Sequence, residues 1–372
     1  MINPKLFYQK LLLSGINTFY GVPDSLLKDF CAYVDDYGNH GNHIITANEG
    51  NAIGIATGYH LATGQIAAVY MQNSGLGNAI NPLTSLTDPA VYKIPMLLII
   101  GWRGEPNVKD EPQHVKQGEI TTTQLDLLGI PYILLEKTSI YDEVVEEAII
   151  KIKKLNSPVA ILVKKGAFSE YTSMRIANSE YTLKREDALR LIIDLSKNSL
   201  IVSTTGKTSR EVFEIRNERR ETQRDFLTVG GMGHTSSIAL GVALGQPNRR
   251  VVCLDGDGSL IMHMGALAII GSILPSNYVH ILLNNASHES VGGQPTVGGK
   301  LDFQSIAKAS GYKQYFLAKN EQDIVNTWNM IKENEGPILI EILICQGSRE
   351  DLGRPSTTPE QNKLSFMKYI NV

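Results

Sequence analysis

The chain of 372 residues has only three cysteines, Cys31, Cys253 and Cys345, and none stands in a CxxC spacing. A zinc site or a disulfide framework is therefore not expected, and the thiols indicate a reducing, cytoplasmic compartment. Long apolar runs are also missing. The longest strongly apolar stretch, Ile94–Ile100, is interrupted by Pro95 and is far too short to span a bilayer. The first residues lead into an amphipathic stretch rather than the apolar segment of a signal peptide, so we expect a soluble protein.

The chain also has little excess of positive or negative charge. The formal net charge is −3, and no block of basic residues occurs along the chain. Nothing therefore suggests nucleic acid or a membrane surface as a partner. A hydrophobic fraction of 42% and a charged fraction of 20% are typical of a globular protein. A chain of this length is too long for one ordinary core, which predicts two domains.

Short apolar runs without polar alternation recur along both halves of the chain. Such runs are typical of strands buried on both faces of a parallel sheet. We predict strands at His43–Ala47, Ala67–Gln72, Met96–Ile100, Val159–Val163, Leu200–Ser203, Val251–Leu254, Tyr278–Leu283 and Pro337–Ile344, with helices at Asn51–Leu61, Asn78–Leu86 and Tyr141–Leu155. The alternation predicts an α/β protein with two doubly wound parallel-sheet domains, 1–168 and 187–372, joined by a polar linker at 169–186.

A polar motif closes two successive strands of the second half. Asp257 follows the first strand within Leu254–Ser259, and Asn285 follows the next strand. The apolar stretch Met262–Leu274 between them has the length of a crossover helix, so both side chains are expected at the same sheet edge. A carboxylate, an amide oxygen and a main-chain carbonyl, which we assign to Ser287, suit Mg²⁺. A diphosphate could supply further oxygens.

Glycines beside this motif favour the same interpretation. Gly256 and Gly258 would let the backbone approach phosphate groups, and the N-terminus of the helix that follows would attract them. A second loop, Thr204–Ser209, invites comparison with a P-loop, but Ile201 stands where that motif needs a glycine. A nucleotide site is therefore excluded. The loop is expected instead to contact the diphosphate through its residues Thr205 and Gly206.

The paired motif resembles the thiamine-diphosphate-binding motif of the pyruvate decarboxylase superfamily. Other segments match in order. Glu49, within Asn48–Tyr59, resembles the catalytic glutamate of that family. Met71–Asn78, with Asn73 and Gly75, resembles its aminopyrimidine loop, and Met232, within Gly230–His234, resembles the residue that holds the cofactor in its bent form. The resemblance covers nearly the whole chain and implies two domains of the thiamine-diphosphate-binding fold with no middle domain.

The resemblance also implies roles for particular residues. Glu49 would promote the tautomer of the cofactor that loses its C2 proton, and a partly desolvated carboxylate between a buried strand and an apolar helix suits proton exchange. His114, in a loop, would move protons near the substrate. The cofactor-binding set implied is Asn73, Gly75, Thr205, Gly206, Met232, Gly256, Asp257, Gly258, Ser259 and Asn285, the metal set is Asp257, Asn285 and Ser287, and the candidate substrate set is Ser25, Arg103, Lys109, Lys116 and His288.

The expected activity is decarboxylation of a small anionic 2-oxo acid with thiamine diphosphate and Mg²⁺. The two-domain plan, with Gly21–Ser25 and Asp110–His114, most resembles family members that convert 3-phosphonopyruvate to phosphonoacetaldehyde. One alternative is a sulfonate-bearing substrate, although the two domains of such enzymes are often separate chains. A carboligase is a second alternative, but carboligases usually carry the extra middle domain. A regulatory subunit without catalysis is disfavoured by the presence of Glu49 and Asp257. The family places its sites between chains, which implies at least a homodimer.

Overall fold

The computed structural model describes residues 1–39, 41–175 and 180–371. Within these ranges the chain forms two compact units. The first holds Met1–Arg175 with Ser290–Gln294, and the second holds the described residues of 176–289 and 295–372. Each unit contains one six-stranded parallel sheet with a hydrophobic cluster on either face. The prediction of two doubly wound α/β domains is therefore confirmed. No helix among the described residues is both long and apolar enough to cross a membrane.

The sheet of the first unit has the strand order β2-β1-β3-β4-β6-β5. Its inner strands are buried on both faces, which is why their sequences lack polar alternation. Its elements are α1 (Pro4–Leu13), β1 (Phe19–Gly21), α2 (Lys28–Tyr37), β2 (His43–Ile45), α3 (Glu49–Thr63), β3 (Ala68–Gln72), α4 (Leu76–Pro82), β4 (Leu97–Gly101), α5 (Pro112–Leu127), β5 (Tyr132–Leu135), α6 (Tyr141–Leu155) and β6 (Val159–Val163). A 3₁₀ turn (Asn73–Gly75) precedes α4, and a π-helical turn (Leu83–Thr87) follows it.

The sheet of the second unit has the strand order β11-β12-β10-β9-β7-β8. Its elements are α7 (Arg185–Leu195), β7 (Leu200–Ser203), α8 (Lys207–Glu218), β8 (Phe226–Leu227), α9 (Thr235–Gly245), β9 (Val251–Gly256), α10 (Asp257–Met262), α11 (Gly265–Ile273), β10 (Tyr278–Asn284), α12 (Phe303–Ala309), β11 (Gln314–Ala318), α13 (Glu321–Ile331), β12 (Ile338–Leu343) and α14 (Pro359–Ile370). The two strands that end in the polar motif, β9 and β10, pair directly and in parallel. Their carboxyl ends therefore lie side by side, as their sequences predict.

Three local predictions differ from the structure. The crossover predicted as one helix, Met262–Leu274, is two helices, because α10 begins at Asp257 itself and ends before α11 starts at Gly265. His114 was expected in a loop but lies in the first turn of α5, which Pro112 begins with a favourable N-terminal proline.

The predicted linker 169–186 also contains ordered structure. Tyr171 and Ser173 donate hydrogen bonds to Asp36 of α2, at 2.9 and 3.0 Å. The last two residues of the predicted linker, Arg185 and Glu186, begin α7. Its residues 176–179 lie outside the described part of the chain.

Candidate active site

In the first unit, three strand ends bring polar residues to one edge of the sheet. Ser25 follows β1, Asn73 follows β3 and Arg103 follows β4, and these strands are neighbours. The buried Asn73 side chain joins them: its Nδ2 donates to the Arg103 carbonyl at 2.8 Å, and the Arg103 N–H donates to its Oδ1 at 3.2 Å. Asn73 Nδ2 also donates to Thr121 of α5 at 2.8 Å. Asn73 therefore holds the loop after β3 against the loop after β4.

Glu49 is the first residue of α3, and its side chain is 5% exposed. The Asn48 side chain caps the helix by accepting a hydrogen bond from the Asn51 N–H at 3.0 Å. Asn78 Nδ2 donates to Glu49 Oε2 at 2.8 Å. A Cβ atom on Gly75 would lie 2.3 Å from Glu49 Oε1, so only glycine lets this loop approach the carboxylate. Glu49 thus lies buried against the loop that the sequence assigns to the cofactor ring.

Arg103 is held by Asp110 and Ser25. Its Nε and Nη2 donate to the two Asp110 oxygens, with an Nε–Oδ2 distance of 2.8 Å, and its Nη1 donates to Ser25 Oγ at 2.6 Å. Although burial opposes its ionisation, Asp110 has a pKa well below the usual range because Arg103 and two backbone N–H groups stabilise the carboxylate. These contacts use three of the five guanidinium donors. Of the predicted cations, Lys109 is exposed, and Lys116 is exposed and pairs with Glu119 at 3.6 Å.

A buried acid, Asp24, lies beside this cluster and was not selected from the sequence. Its Oδ2 accepts a hydrogen bond from the Leu27 N–H at 3.2 Å, and its Oδ1 has no hydrogen-bond partner among the described residues. A Cβ atom on Gly101 would lie 2.0 Å from Oδ2, so the acid packs directly on the end of β4. Burial raises the pKa of Asp24 to about 6, and backbone N–H groups and Arg103 oppose that rise only partly.

In the second unit, Asp257 is the first residue of α10 and is 2% exposed. Its carboxylate accepts a hydrogen bond from the Thr296 hydroxyl. Burial raises its pKa to about 6, and Thr296 and the backbone N–H groups of Asp257, Gly258 and Asn285 only reduce the rise. The predicted pair, Asp257 and Asn285, directly follows two paired strands, so the two residues lie at the same edge of the sheet. Because the partners named here are uncharged, a cation would compensate the buried negative charge.

The amide groups of both asparagines are fixed. Asn284 Nδ2 donates to Glu341 at 2.7 Å and to the Gly298 carbonyl at 3.1 Å. Asn285 Nδ2 donates to Glu289 at 2.8 Å, while its Oδ1 accepts from the Ser287 N–H at 3.0 Å. Among the described residues, the buried Ser287 Oγ has no hydrogen-bond partner. A carboxylate, amide oxygens and a hydroxyl therefore follow the paired ends of β9 and β10, a donor set that suits Mg²⁺.

Two loops beside Asp257 depend on glycine. Gly206, which ends the loop after β7, has φ 90°, and the Ser209 hydroxyl holds that loop by donating to the Thr204 carbonyl at 2.6 Å. Met232 lies between Gly231 and Gly233, whose φ values are 65° and 87°. Ser259 Oγ joins the two loops: it accepts from the Gly233 N–H and from Thr204 Oγ1, both at 3.2 Å. The predicted residues Thr205, Gly206 and Met232 thus lie on two loops that are connected by Ser259 of α10.

Glu289 and His288 follow the motif. His288 is buried, and burial lowers its pKa to about 4, so the ring is neutral at pH 7. Burial also opposes ionisation of Glu289, but Arg185 and Lys207 hold the pKa of its carboxyl below the usual value. Arg185 pairs with it at 3.0 Å and Lys207 at 2.7 Å. Sequence reasoning selected neither cation, because their contacts with Glu289 span 104 and 82 residues of chain.

A second buried polar cluster lies on one face of the same strands. Cys253 and Asp255 of β9 and His280 of β10 have potential metal-ligand atoms within 4.8 Å of one another. His280 Nε2 lies 3.4 Å from Asp255 Oδ2, and Nδ1 lies 3.0 Å from the Tyr312 hydroxyl. The carboxylate also accepts a hydrogen bond from the Gly256 N–H at 3.0 Å. Among the described residues, neither Asp255 Oδ2 nor His280 Nε2 has a hydrogen-bond partner, and we interpret the cluster as a group of buried polar side chains within the core of the second unit.

Comparison with known proteins identifies a cofactor-binding domain in each half of the chain. Residues 5–127 match the thiamine pyrophosphate enzyme N-terminal TPP binding domain, and residues 204–342 match the corresponding C-terminal TPP binding domain. The phosphonopyruvate decarboxylase of Streptomyces viridochromogenes is 34% identical, covering 96% of this chain and 92% of that protein. That of Streptomyces hygroscopicus is 35% identical, with 95% and 90% covered. The sulfopyruvate decarboxylase of Methanosarcina acetivorans is 27% identical, with 96% and 95% covered.

These relatives align over nearly their whole length, and the two matched domains include every residue of the predicted metal motif and Glu49. The third relative also shows that a sulfopyruvate decarboxylase can be a single chain that contains both domains. The presence of both domains in one chain therefore does not favour a phosphonate substrate over a sulfonate substrate. Both binding domains follow one another in one polypeptide, and the chain therefore belongs to the thiamine pyrophosphate enzyme family, among its decarboxylases.

Proposed function

We propose that this enzyme decarboxylates 3-phosphonopyruvate to phosphonoacetaldehyde and CO₂, using thiamine diphosphate and Mg²⁺. The observation that carries the proposal is the full-length similarity to two phosphonopyruvate decarboxylases, at 34% and 35% identity. The sulfopyruvate decarboxylase covers as much of the chain at 27% identity, so a sulfonate substrate is the second candidate. In either case the substrate loses its carboxylate as CO₂, and a proton takes the place of that carboxylate on the carbonyl carbon.

Asp257, the amide oxygen of Asn285 and the main-chain carbonyl of Ser287 would hold Mg²⁺. Two observations support this set: Asp257 is buried with uncharged hydrogen-bond partners, and Ser287 has a buried hydroxyl with no partner among the described residues. A Cβ atom on Gly298 would lie 2.7 Å from Asp257 Oδ2, which indicates close backbone approach at the same point. The glycine-containing loops of Thr205–Gly206 and Gly256–Gly258 would face the diphosphate through backbone N–H groups.

Bound thiamine diphosphate would supply the electron sink that accepts the pair left when CO₂ departs. Glu49 would exchange a proton with the cofactor's aminopyrimidine ring, and the hydrogen bond from Asn78 keeps its carboxylate oriented. Asn73 and Gly75 would border the same ring. Met232, set between two glycines in the left-handed region, would support the bent cofactor. His114, in the first turn of α5, would deliver the proton that the reacting carbon needs after CO₂ leaves.

The phosphonate group would be bound by donors near the ends of β1 and β4. Arg103 is our first candidate, because its guanidinium is oriented by Asp110 and Ser25 and retains two donors beyond those bonds. Lys109, Lys116 and His288 are weaker candidates, the lysines because they are exposed and His288 because it is buried and neutral. We further propose a homodimer or larger homo-oligomer in the cytoplasm. Three unpaired cysteines support that compartment.

A CO₂-release assay tests the proposal. Phosphonopyruvate, sulfopyruvate and pyruvate are compared with and without thiamine diphosphate and Mg²⁺, in the parent and in Asp257→Ala. We expect turnover of phosphonopyruvate first, sulfopyruvate second and pyruvate last, because unpaired donors in a pocket built for a dianion cost about 1–3 kcal/mol each. Omitting the cofactor or the metal should abolish turnover. A parent that prefers sulfopyruvate would establish the second candidate, and full activity in Asp257→Ala would refute the metal site.

A further inference from the structure

Glu289 lies at the meeting point of three donors. Its Oε2 accepts hydrogen bonds from Asn285 Nδ2 at 2.8 Å and from Arg185 Nη1 at 3.0 Å, and its Oε1 accepts from Lys207 Nζ at 2.7 Å. The Glu289 side chain is 11% exposed. A charged group this enclosed is stable only with such partners. The carboxylate is therefore held in one position by residues of two helices, α7 and α8.

The support behind Glu289 is itself rigid. Arg185 is 5% exposed and binds Glu211 through two hydrogen bonds, Nε–Oε2 at 2.7 Å and Nη2–Oε1 at 2.8 Å. Such two-point pairs fix the guanidinium plane as well as its position. The cluster comprises two carboxylates, Glu289 and Glu211, and two cations, Arg185 and Lys207, so its formal charges balance. The carboxylate of Glu289 that faces Asn285 is thus part of a neutral cluster held together by ion pairs.

This contact decides which end of the Asn285 amide faces which way. A carboxylate only accepts hydrogen bonds, so it selects the NH₂ end of the amide and repels the oxygen end. The oxygen therefore points away from Glu289, where it accepts from the Ser287 N–H. Asn285 also lies at the same sheet edge as Asp257, because it directly follows β10, which pairs with β9 immediately before Asp257. If the amide were rotated by 180°, its oxygen would face the Glu289 carboxylate and its NH₂ group would face the Ser287 N–H.

We propose that Glu289 is a positioning residue for the metal: it fixes the Asn285 amide so that the oxygen, rather than the NH₂ group, is presented to Mg²⁺. This inference rests on the proposed metal site. Residues that orient metal ligands typically contribute about 10–100-fold to metal affinity. Glu289 is not itself a ligand in this proposal. Its effect should therefore appear in metal affinity and not in the chemistry of an enzyme saturated with metal.

The test measures Mn²⁺ affinity in the presence of thiamine diphosphate, from the electron paramagnetic resonance signal of free Mn²⁺. We expect Glu289→Met, which removes the acceptor that a glutamine would keep, to bind Mn²⁺ about 10–100-fold more weakly than the parent. Its kcat at saturating Mg²⁺ should stay near that of the parent, while the Mg²⁺ concentration needed rises. Glu186→Met is the matched control, because Glu186 lies next to Arg185 on α7 but pairs with Arg190 and Arg349. It should bind Mn²⁺ like the parent.

A polarity exchange provides an independent test. In Asn285→Asp the new carboxylate faces that of Glu289, whereas in Asn285→Asp with Glu289→Gln the glutamine can donate to the aspartate. The double variant should bind Mn²⁺ at least tenfold more tightly than Asn285→Asp alone. This comparison decides the matter even if Glu289→Met alone does not fold. Equal affinity of the double variant and Asn285→Asp would overturn the proposal, and so would parental affinity in a folded Glu289→Met. A parent that fails to bind Mn²⁺ with the cofactor would instead refute the metal site itself.

Discussion

Glu49 is a buried acid that neighbouring side chains hold in one position. It begins α3, is capped by Asn48, and receives a hydrogen bond from Asn78. Arg103 and Asp24 are held by their neighbours in the same way, at the ends of β4 and β1. Each side chain has few partners, so single substitutions should have separable effects on proton transfer, substrate choice and stability.

Glu49→Gln should keep the fold and much of the cofactor affinity, because glutamine has the same shape and can still accept from Asn78. Exchange of the cofactor C2 proton should slow by about 10²–10⁴-fold, the usual contribution of a positioned acid–base group. Exchange is followed by NMR after acid quench, with Glu186→Gln as a control that alters an acid elsewhere. An unchanged exchange rate would remove Glu49 from the mechanism.

Arg103→Met should discriminate between substrates. If Arg103 binds the phosphonate, kcat/KM for phosphonopyruvate should fall about 10–100-fold more than kcat/KM for pyruvate, which has no charged tail. The free Asp110 left behind would further repel a dianion. Lys116→Met serves as the comparison, since Lys116 is exposed and paired with Glu119. Equal losses of kcat/KM on both substrates in Arg103→Met would show that Arg103 does not bind the phosphonate group.

Asp24→Asn should change the pH dependence of stability. The pKa of Asp24 is raised from 3.8 to about 6 in the folded protein, so the folded state binds the proton more tightly than the unfolded state. Stability is therefore unaffected by this group below about pH 4, falls as pH rises towards 6, and stays reduced above it, by about 3 kcal/mol at most. The asparagine variant lacks this penalty.

The melting temperature of Asp24→Asn, compared with that of the parent from pH 4 to pH 8, provides the measurement. The difference in Tm should grow in favour of the variant between pH 4 and pH 6.5 and then level off. A constant offset added to this pH-dependent change would be the smaller effect of losing side-chain hydrogen bonds. If the whole difference in Tm were the same at every pH, the pKa of Asp24 would not be raised in the folded protein.

Among the elements, the segment after Asn285 returns across the end of β9. Thr296 donates to Asp257, and the Gly298 N–H donates to Thr296 Oγ1 at 3.0 Å, while the Gly298 carbonyl accepts from Asn284. This return brings backbone so close that a Cβ atom on Gly298 would meet Asp257 Oδ2 at 2.7 Å. The glycine is needed here for space, since contact below 3.0 Å must displace one partner.

Gly298→Ala should therefore displace the Asp257 carboxylate and weaken Mn²⁺ binding by at least tenfold, on the same physical ground as loss of a ligand-orienting contact. Gly241→Ala is the matched control, because Gly241 lies in α9 and a Cβ there would meet nothing within 4 Å. That variant should gain up to about 1 kcal/mol in stability from helix propensity. Parental Mn²⁺ affinity in Gly298→Ala would show that the segment yields without moving Asp257.

For the whole molecule, the proposed oligomer predicts complementation between two inactive chains. If each site combines the first domain of one chain with the second domain of another, a mixed dimer of Glu49→Gln and Asp257→Ala keeps one intact site. Equal co-expression should then restore about a quarter of the parental activity per chain, because half of the dimers are mixed and each has one good site of two. Each variant expressed alone is the control. Verified mixed dimers without activity would put both halves of the site in one chain.

Elements with a continuous apolar run were predictable from the sequence. The predicted strands at Val159–Val163 and Leu200–Ser203 have the bounds that the structure gives to β6 and β7, and the predicted helix Tyr141–Leu155 coincides with α6. In contrast, β1 and β8, of three and two residues, were missed because so few residues leave no recognisable pattern. The edge strands β5 and β11 were missed although each contains a run of apolar residues, and most of their residues are only partly buried. Local patterns therefore indicate long buried strands more reliably than short or edge strands.

By itself the sequence determined the α/β class, the two-sheet plan and the neighbouring ends of β9 and β10. These follow from local patterns, because parallel strands joined by a crossover helix must end at one sheet edge. Only the tertiary structure decided that Asn78 holds Glu49, that Asp110 holds Arg103, and that Arg185 and Lys207 hold Glu289 against Asn285. Most of these partners are far apart along the chain. Side-chain packing decides which donor meets which acceptor, and the order of residues along the chain carries no information about that packing.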